Sequence, residues 1–291
     1  MAMATIPAFY FEREEMRRRA DALRPQFEGG QPFRHVVIEN FLPEEIALAM
    51  AAEFPKPSVP IWRVAGPGDA RHSNDPDVEK ISCSDESSFP PMIRHVVNQL
   101  YGGVMMEFLE RLTGFSNLCS DPSLYGGGMH STGRGGRLMI HADASRHPNP
   151  KLDQVINLIY YCTPDWQPEW RGELEMWDKE CKQCEASVLP KFNSALIFYT
   201  GTNCYHGHPH PLQTPPGTRR NSLALYYYTT DREVGEDYVG HRTFVEWKRT
   251  TAEDRQVSPV HLAKEALRRY APRGLTNGLA RTLRWARQKM R

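Results

Sequence analysis

The chain has 291 residues, of which 40% are hydrophobic and 24% charged, and these fractions exclude a disordered or fibrous chain. Its 36 basic and 35 acidic residues leave a formal net charge of +1, which argues against nucleic acid as the main partner. No stretch approaches the roughly 20 apolar residues of a membrane span, the N-terminus becomes charged too early for a signal peptide, and the 6 cysteines are scattered, so we expect a cytoplasmic protein with reduced thiols.

The N-terminal region, residues 1–115, is predicted to be a mainly helical support for the rest of the chain. Apolar side chains at helical spacing over residues 8–28 predict a surface helix. Residues 33–42 are predicted to form a strand. Pro43 suits the first turn of a helix, which is expected to run through Phe54.

The remainder of this region is predicted to contain loops and one long helix. Residues 55–90 are rich in Pro, Gly, Asp and Ser, which predicts loops. Residues 89–115 predict an amphipathic helix. An interruption is expected at Gly102-Gly103, because glycine is a poor helix former.

The pattern changes at residue 116, where short apolar runs begin to alternate with turn signals. Many short strands without intervening helices predict a mainly β region, residues 116–230, folded as an antiparallel sandwich or barrel. The runs predicted to be strands are GGRLMIHAD (135–143), QVINLIYYC (154–162), GELEMW (172–177), CEASVLP (184–190), NSALIFYT (193–200) and SLALYYYT (222–229).

Residues 231–291 are predicted to form a C-terminal tail that is helical and basic. Ser258 can cap a helix, and a second helix is predicted from Leu279 to Met290. Nine Lys or Arg and one Glu lie from His261 onward. The tail is expected either to pack on its own domain with the basic face in solvent, or to contact a second copy of the chain, an anionic surface or an acidic substrate. All three regions are expected to form one integrated domain.

A histidine and an aspartate stand at the end of the run GGRLMIHAD. If residues 137–143 form a strand, His141 and Asp143 point to the same face, about 6–7 Å apart at the backbone. Two such side chains can converge on a single metal ion. The triplet alone is weak evidence for a metal site, because such a pair is more often solvated or hydrogen-bonded.

Three histidines follow the predicted strand NSALIFYT and compete for the role of a third ligand. His206 comes first and precedes Pro209 and Pro211, which are expected to turn the chain into an irregular loop. His208 would share a face with His206 if the strand continued, whereas His210 lies between the two prolines. Since a ligand needs a rigid support, His206 is preferred and His208 is the alternative.

One carboxylate and two histidines form the donor set that holds non-haem Fe(II) and leaves coordination positions open. A closed structural zinc site would need a fourth protein ligand. Open positions suit an oxygenase, because a cosubstrate and oxygen must both reach the metal. A zinc or manganese site of hydrolase type is the alternative that these donors leave open.

The order of the motifs resembles the prolyl 4-hydroxylase-like group of 2-oxoglutarate/Fe(II)-dependent dioxygenases over residues 124–230. The family pattern is a His-x-Asp motif, a strand with an aromatic pair, a Gly-Gly-x-Leu element, a buried strand leading to a distal histidine, and a basic residue before the last strand. The second glycine of the Gly-Gly element is replaced here by Glu173. The matching segments are HAD (141–143), INLIYYCTPDW (156–166), RGELEMW (171–177), FNSALIFYTGTNCYH (192–206) and RRNSLALYYY (219–228).

The resemblance implies a double-stranded β-helix core, a jelly roll of the cupin type, with flanking helices. It also implies that His141, Asp143 and His206 are catalytic ligands of Fe(II), and that 2-oxoglutarate and O2 are cosubstrates. The implied activity is hydroxylation of an unactivated C–H bond in a small-molecule or peptidyl substrate, with release of succinate and CO2.

A cosubstrate site is implied at the other end of the β region. By resemblance, Arg220 binds the distal carboxylate of 2-oxoglutarate and Tyr161 shares it, while the long loop before Arg220 leaves Arg219 as an alternative. An arginine suits this role because it can hold a carboxylate bidentately. Strand periodicity places Asn157, Ile159 and Tyr161 on one face, which fits a polar cofactor cavity and adds Asn157 to the predicted cofactor-binding residues.

A non-catalytic β-barrel that senses or binds a ligand through the same metal site is the alternative function. The presence of all three predicted metal ligands and of the basic residue favours an enzyme. The sequence does not identify the substrate, since analogy at the level of the fold cannot choose among substrates.

Overall fold

The computed structural model describes residues 9–64, 80–147, 152–230 and 245–251, together with Arg232, Tyr238 and Arg242. All elements described below lie within the first of the chain's two compact units, residues 1–250. Four α-helices are found in the described part of the chain: α1 (Arg13–Gly29), α2 (Glu44–Glu53), α3 (Pro91–Leu100) and α4 (Gly103–Thr113).

Thirteen strands are also found in the described part of the chain. They are β1 (His35–Ile38), β2 (Arg63–Val64), β3 (Lys80–Cys83), β4 (Cys119–Ser120), β5 (Gly128–Thr132), β6 (Leu138–Ala142), β7 (Asp153–Tyr161), β8 (Leu174–Trp177), β9 (Cys184–Val188), β10 (Ser194–Tyr199), β11 (Tyr205–His208), β12 (Arg220–Thr229) and β13 (Glu246–Trp247).

The strands form two antiparallel sheets. The major sheet has eight strands in the order β1-β10-β7-β12-β5-β3-β2, with β4 also paired to β12, and the minor sheet has five strands in the order β13-β6-β11-β8-β9. Apart from the pairs β2-β3 and β8-β9, neighbouring strands are not consecutive in sequence, as in a double-stranded β-helix. The mainly β core with flanking helices confirms the predicted fold class.

The N-terminal helices begin and end close to their predicted bounds. The long helix predicted over 89–115 is broken into α3 and α4, because Gly102 is extended (φ −78°, ψ 163°) and acts as the N-cap of α4. The helix α4 ends at Gly114, whose φ of +78° is the left-handed conformation that commonly terminates helices. The predicted interruption at this pair of glycines is confirmed.

The prediction that residues 55–90 are only loops is wrong in the described part of that segment. Strands β2 and β3 pair with each other, and β3 also pairs with β5 in the major sheet. Each strand is too short for alternation to be visible in sequence, and β3 contains Lys80 and Ser82, which do not suggest a buried strand. The N-terminal region therefore supplies strands to both ends of the major sheet as well as helices.

The hydrophobic core has two layers that meet at strand β7. Leu158 and Tyr160 face the larger cluster, which the helices complete, whereas Ile159 and Tyr161 face a smaller cluster between the two sheets. The minor sheet contributes Met176 to the smaller cluster. This alternation confirms the faces predicted for β7, and it places the Tyr161 face inside the barrel.

The predicted helices beyond Ser258 and their basic face lie outside the described residues. Within the described part of the chain, no helix combines the length and the hydrophobicity that crossing a membrane would need.

Candidate active site

Two of the predicted metal ligands face each other across the minor sheet. His141 on β6 and His206 on β11 are direct cross-strand partners, with ring centroids 4.5 Å apart. Both side chains are buried. Cross-strand partners point to the same face of a sheet, so both rings are directed into the barrel.

The third predicted ligand, Asp143, follows immediately after the end of β6. Its Oδ1 lies 3.5 Å from His141 Nε2, and its Oδ2 lies 3.7 Å from His206 Nε2. One donor atom from each of the three residues falls within 4.8 Å of the others. Among the described residues this is the only such group of three or more His, Cys, Asp or Glu side chains.

Both imidazole rings are oriented by backbone carbonyls. His141 Nδ1 lies 2.9 Å from the carbonyl oxygen of Met139, and His206 Nδ1 lies 3.0 Å from that of Cys204. A proton on each Nδ1 satisfies these contacts and leaves Nε2 as the free lone pair. The two Nε2 atoms and the Asp143 carboxylate therefore present the donor set expected for Fe(II).

The carboxylate of Asp143 is held by two side-chain amides of β7. Asn157 Nδ2 donates to Asp143 Oδ2 at 3.2 Å, and Gln154 Nε2 donates to the same oxygen at 3.3 Å. Asn157, which we predicted to contact the cofactor, is thus placed beside the metal ligand, and the sequence analysis missed Gln154. Residues 154 and 157 fall on opposite faces of a regular strand, but the register shifts by one residue at Val155 and returns Gln154 to the Asn157 face.

The charge states of the ligands suit a divalent cation. Burial opposes ionisation of Asp143, but His206, His141 and the Asn157 amide lower its pKa to about 2. Burial, partly opposed by Asp143, lowers the pKa of His206 to about 4. At neutral pH the aspartate is therefore ionised and His206 is neutral, which are the forms that bind a metal.

A glycine between the two C-terminal histidines of β11 allows the sheet to close on this site. A Cβ atom on Gly207 would lie 2.7 Å from the Met139 carbonyl oxygen and 2.9 Å from that of Leu138. The register of β11 against β6 shifts between His206 and His208. Only glycine permits this approach of the two backbones, because any larger residue would displace His206 from His141.

Arg220 and Tyr161 lie together inside the barrel. The Arg220 guanidinium carbon is 5.0 Å from the Tyr161 ring centroid, and Arg220 Nε donates to the Gly172 carbonyl at 2.8 Å. Arg220 Nη2 and the Tyr161 hydroxyl are buried, and neither makes a hydrogen bond of normal geometry among the described residues. Such donors are costly to bury unless a ligand pairs with them. Burial raises the pKa of Tyr161, so its hydroxyl keeps its proton.

Arg219 has a different environment from Arg220. Its Nε donates to Ser131 Oγ at 2.8 Å, and its Nη2 donates to the Ser131 carbonyl at 3.2 Å. Both arginines of the pair are buried. The Arg219 side chain therefore binds Ser131 on β5, and Arg220 is the arginine of the pair that lies beside Tyr161.

His208 and His210 are placed very differently. The strand β11 continues to His208, which is buried, and neither of its ring nitrogens has a hydrogen-bond partner in the described part of the chain. Burial, with Arg220 and Lys80 nearby, lowers the pKa of His208 well below its usual value. The His210 side chain is 54% exposed and lies 3.2 Å from Glu175. The expected irregular loop therefore begins after His208, and neither histidine belongs to the group of three ligands.

A cavity of about 500 Å³ borders the barrel beside β3 and the loop before β5. Trp62 and Tyr125 supply aromatic surface to its wall. Gly126 is also in the wall, and a Cβ atom built on it would lie 3.3 Å from the ring of Tyr226. Tyr226 is in turn the cross-strand partner of Asn157. Tyr226 therefore connects the wall of the cavity to the strand that carries Asn157, and the volume of the cavity is typical of small-ligand sites.

Comparison with known families locates the site within one matched region. Residues 127–228 match the sequence profile of the 2OG-Fe(II) oxygenase superfamily. This region contains the three predicted metal ligands as well as Arg220 and Tyr161. No curated protein matches the chain significantly.

Solved structures are similar to this chain at low sequence identity. A prolyl hydroxylase from Trichoplax adhaerens, in complex with a peptide fragment of the hypoxia inducible factor oxygen degradation domain, gives a TM-score of 0.51 at 14% identity and covers 74% of this chain and 91% of that chain. A Pseudomonas putida prolyl-4-hydroxylase gives a TM-score of 0.46 at 15% identity and covers 72% of this chain and 98% of that chain. HygX from Streptomyces hygroscopicus, with nickel, 2-oxoglutarate and hygromycin B bound, gives a TM-score of 0.46 at 12% identity. It covers 74% of this chain and 93% of that chain.

Proposed function

We propose that this chain uses Fe(II), 2-oxoglutarate and O2 to hydroxylate an unactivated C–H bond in a small-molecule or peptidyl substrate, because residues 127–228 match the profile of the 2OG-Fe(II) oxygenase superfamily. The observation that carries the proposal is the convergence of His141, Asp143 and His206 inside the barrel. In the overall reaction one oxygen atom enters the substrate, and 2-oxoglutarate leaves as succinate and CO2.

The three side chains that would hold Fe(II) come from two strands and the residue after one of them. His141 and His206 offer Nε2, and Asp143 offers one carboxylate oxygen. When bound, Fe(II) supplies the open coordination positions at which the cosubstrate and O2 react. The chain itself fixes the tautomers through the Met139 and Cys204 carbonyls and excludes water by burying the donors.

Arg220 and Tyr161 would hold the distal carboxylate of 2-oxoglutarate. Support comes from their unsatisfied buried donors and from their position on the inner face of the major sheet. The bond from Arg220 Nε to Gly172 fixes the guanidinium, so Nη2 is left for the carboxylate. A charge-assisted contact of this kind orients the cosubstrate along the barrel.

The substrate would approach from the side of the cavity near Tyr125. Gly126 in the wall of this cavity lies beside Tyr226, the cross-strand partner of Asn157. The cavity combines the aromatic side chains of Trp62 and Tyr125 with the charged groups of Arg63 and Asp85. A mixed lining of this kind suits an organic substrate with both apolar and polar groups.

The test is oxygen-dependent succinate formation by the Fe(II)-loaded full chain. The chain is incubated with 2-oxoglutarate in air and under argon, alone and with a panel of prolyl peptides, sugars and amino acids. We expect succinate only in air, more of it with a substrate of the correct class, and none from the Asp143→Ala variant. Binding of both Fe(II) and 2-oxoglutarate with no succinate under any condition would instead establish a non-catalytic binding protein.

A further inference from the structure

A short strand outside the matched superfamily region lies beside the metal ligands. Strand β13 is at the edge of the minor sheet among the described residues, and it pairs antiparallel with β6. Trp247 is the cross-strand partner of His141, and Glu246 is the partner of Ala142. Trp247 therefore shares the inner face of the sheet with His141.

The indole ring of Trp247 packs against the imidazole of His141. Their ring centroids are 4.7 Å apart, with an angle of 34° between the planes. His206 lies on the other side of His141, on the neighbouring strand β11, and the centroids of the two imidazole rings are 4.5 Å apart. The His141 ring is thus confined on two sides by aromatic rings and is tied at Nδ1 to the Met139 carbonyl.

The segment that carries Trp247 is anchored to the same strand end that carries Asp143. Arg242 Nη2 donates to the Asp143 carbonyl at 2.9 Å, and its Nη1 pairs with Glu246. The backbone nitrogen of Lys248 donates to the Ile140 carbonyl at 2.7 Å. The contacts on both sides of Trp247 therefore fix its position relative to the two ligands of the His-x-Asp motif.

We propose that Trp247 is a positioning residue of the metal centre, which holds the His141 ring and forms the wall of the centre at the edge that the minor sheet has in the described part of the chain. The proposal rests on the proposed role of His141 as a metal ligand.

The experiment uses Co(II) as the probe and tryptophan fluorescence as a readout that is independent of turnover. The full-length chain and its Trp247→Phe variant are titrated with Co(II) in the presence of 2-oxoglutarate, because a bound Co(II) ion quenches a nearby indole. Trp177→Phe is the matched control. Trp177 is on the same sheet and is also half-buried, but it is the partner of Tyr205, whose side chain points to the opposite face from His206.

We expect Co(II) to quench part of the tryptophan fluorescence of the wild type and of Trp177→Phe. The quenched fraction should be much smaller in Trp247→Phe. Trp247→Phe should keep the Co(II) affinity within about twofold, because phenylalanine still packs on His141. Trp247→Ala and Trp247→Leu should lose about 3- to 10-fold in Co(II) affinity and change the visible Co(II) absorption spectrum, which senses ligand geometry.

Two results would overturn the inference. One is equal fractional quenching in the wild type and Trp247→Phe. The other is a wild-type Co(II) affinity and spectrum in both Trp247→Ala and Trp247→Leu. Failure of the wild-type chain to bind Co(II) at all would instead contradict the proposed function, so the two failures are distinguishable.

Discussion

His141 and His206 are direct partners across strands β6 and β11, and their ring centroids are 4.5 Å apart. They are 65 positions apart in sequence, and strands β7 to β10 lie between them, so the pair exists only when both sheets are assembled. The metal centre is therefore expected to report on the integrity of the whole barrel. Its precise geometry depends on the close approach that Gly207 permits.

The first prediction distinguishes the three histidines of β11 and the following loop. His206→Ala should lose Fe(II) binding, because it removes one of the three converging donors. His208→Ala should retain Fe(II), and His210→Ala should behave as wild type, since its side chain is 54% exposed. Fe(II) content after anaerobic loading is the measurement, and loss of iron in His208→Ala with retention in His206→Ala would refute the assignment.

The second prediction concerns the cosubstrate. Arg220→Ala should weaken 2-oxoglutarate binding by about 2–4 kcal/mol, the range for losing a bidentate contact to a charged group, while metal binding stays near wild type. Calorimetric titration of the Ni(II)-loaded protein measures this difference. Arg219→Ala is the matched control, because Arg219 bonds Ser131 instead; if it produced the larger loss, Arg219 would be the cosubstrate ligand.

The third prediction concerns the amides that hold Asp143. Asn157→Ala and Gln154→Ala should each lower metal affinity about tenfold, because a ligand loses a group that orients it. Asn221→Ala is the control, since this asparagine of β12 bonds Ser131 Oγ rather than a ligand. Equal metal affinity in Asn157→Ala, Asn221→Ala and the wild type would show that these amides do not support the site.

The fourth prediction is a pH dependence of stability that arises from His130. Burial, together with the charges of Lys80 and Arg220, lowers its pKa to about 3, although Asp143 opposes this shift. The unfolded chain has a histidine pKa of about 6.5. Above pH 7 His130 is neutral in both the folded and the unfolded state, so it contributes nothing to the pH dependence of stability. Below pH 6.5 only the unfolded state takes up the proton, and the free energy of unfolding falls by up to about 1.4 kcal/mol per pH unit.

Urea unfolding at pH 7.5 and pH 5.5 measures this effect. The His130→Gln variant should lose about 1.4 kcal/mol less than the wild type between the two pH values, since glutamine does not titrate there. If both proteins lost stability equally, His130 would take up its proton to the same extent in the folded and the unfolded chain, and its pKa would not be lowered by folding.

The local parts of the site were predictable because strand periodicity and motif order are properties of contiguous sequence. The two faces of β7 and the order of His141, Asp143 and His206 follow from such patterns. Gln154 was not predictable, because a bulge at Val155 turns it to the Asn157 face and leaves no signal in the sequence.

The remaining differences come from long-range pairing. Strands β2, β3 and β13 are two to four residues long, and each is defined by a partner distant in sequence. The position of Trp247 beside His141 depends on one of these pairings. The burial of Arg219 likewise depends on Ser131, 88 residues away, so no local pattern could separate it from a surface arginine.

The most direct test of the central claim is an anaerobic titration of the full-length chain with Fe(II) and then 2-oxoglutarate, followed by visible absorption. We predict one Fe(II) per chain and a charge-transfer band that appears only when both components are present. The band should be absent in His141→Ala, Asp143→Ala and His206→Ala, and it should need more 2-oxoglutarate in Arg220→Ala. A wild-type chain that binds no Fe(II), or a band that persists without Asp143 and His206, would contradict the account.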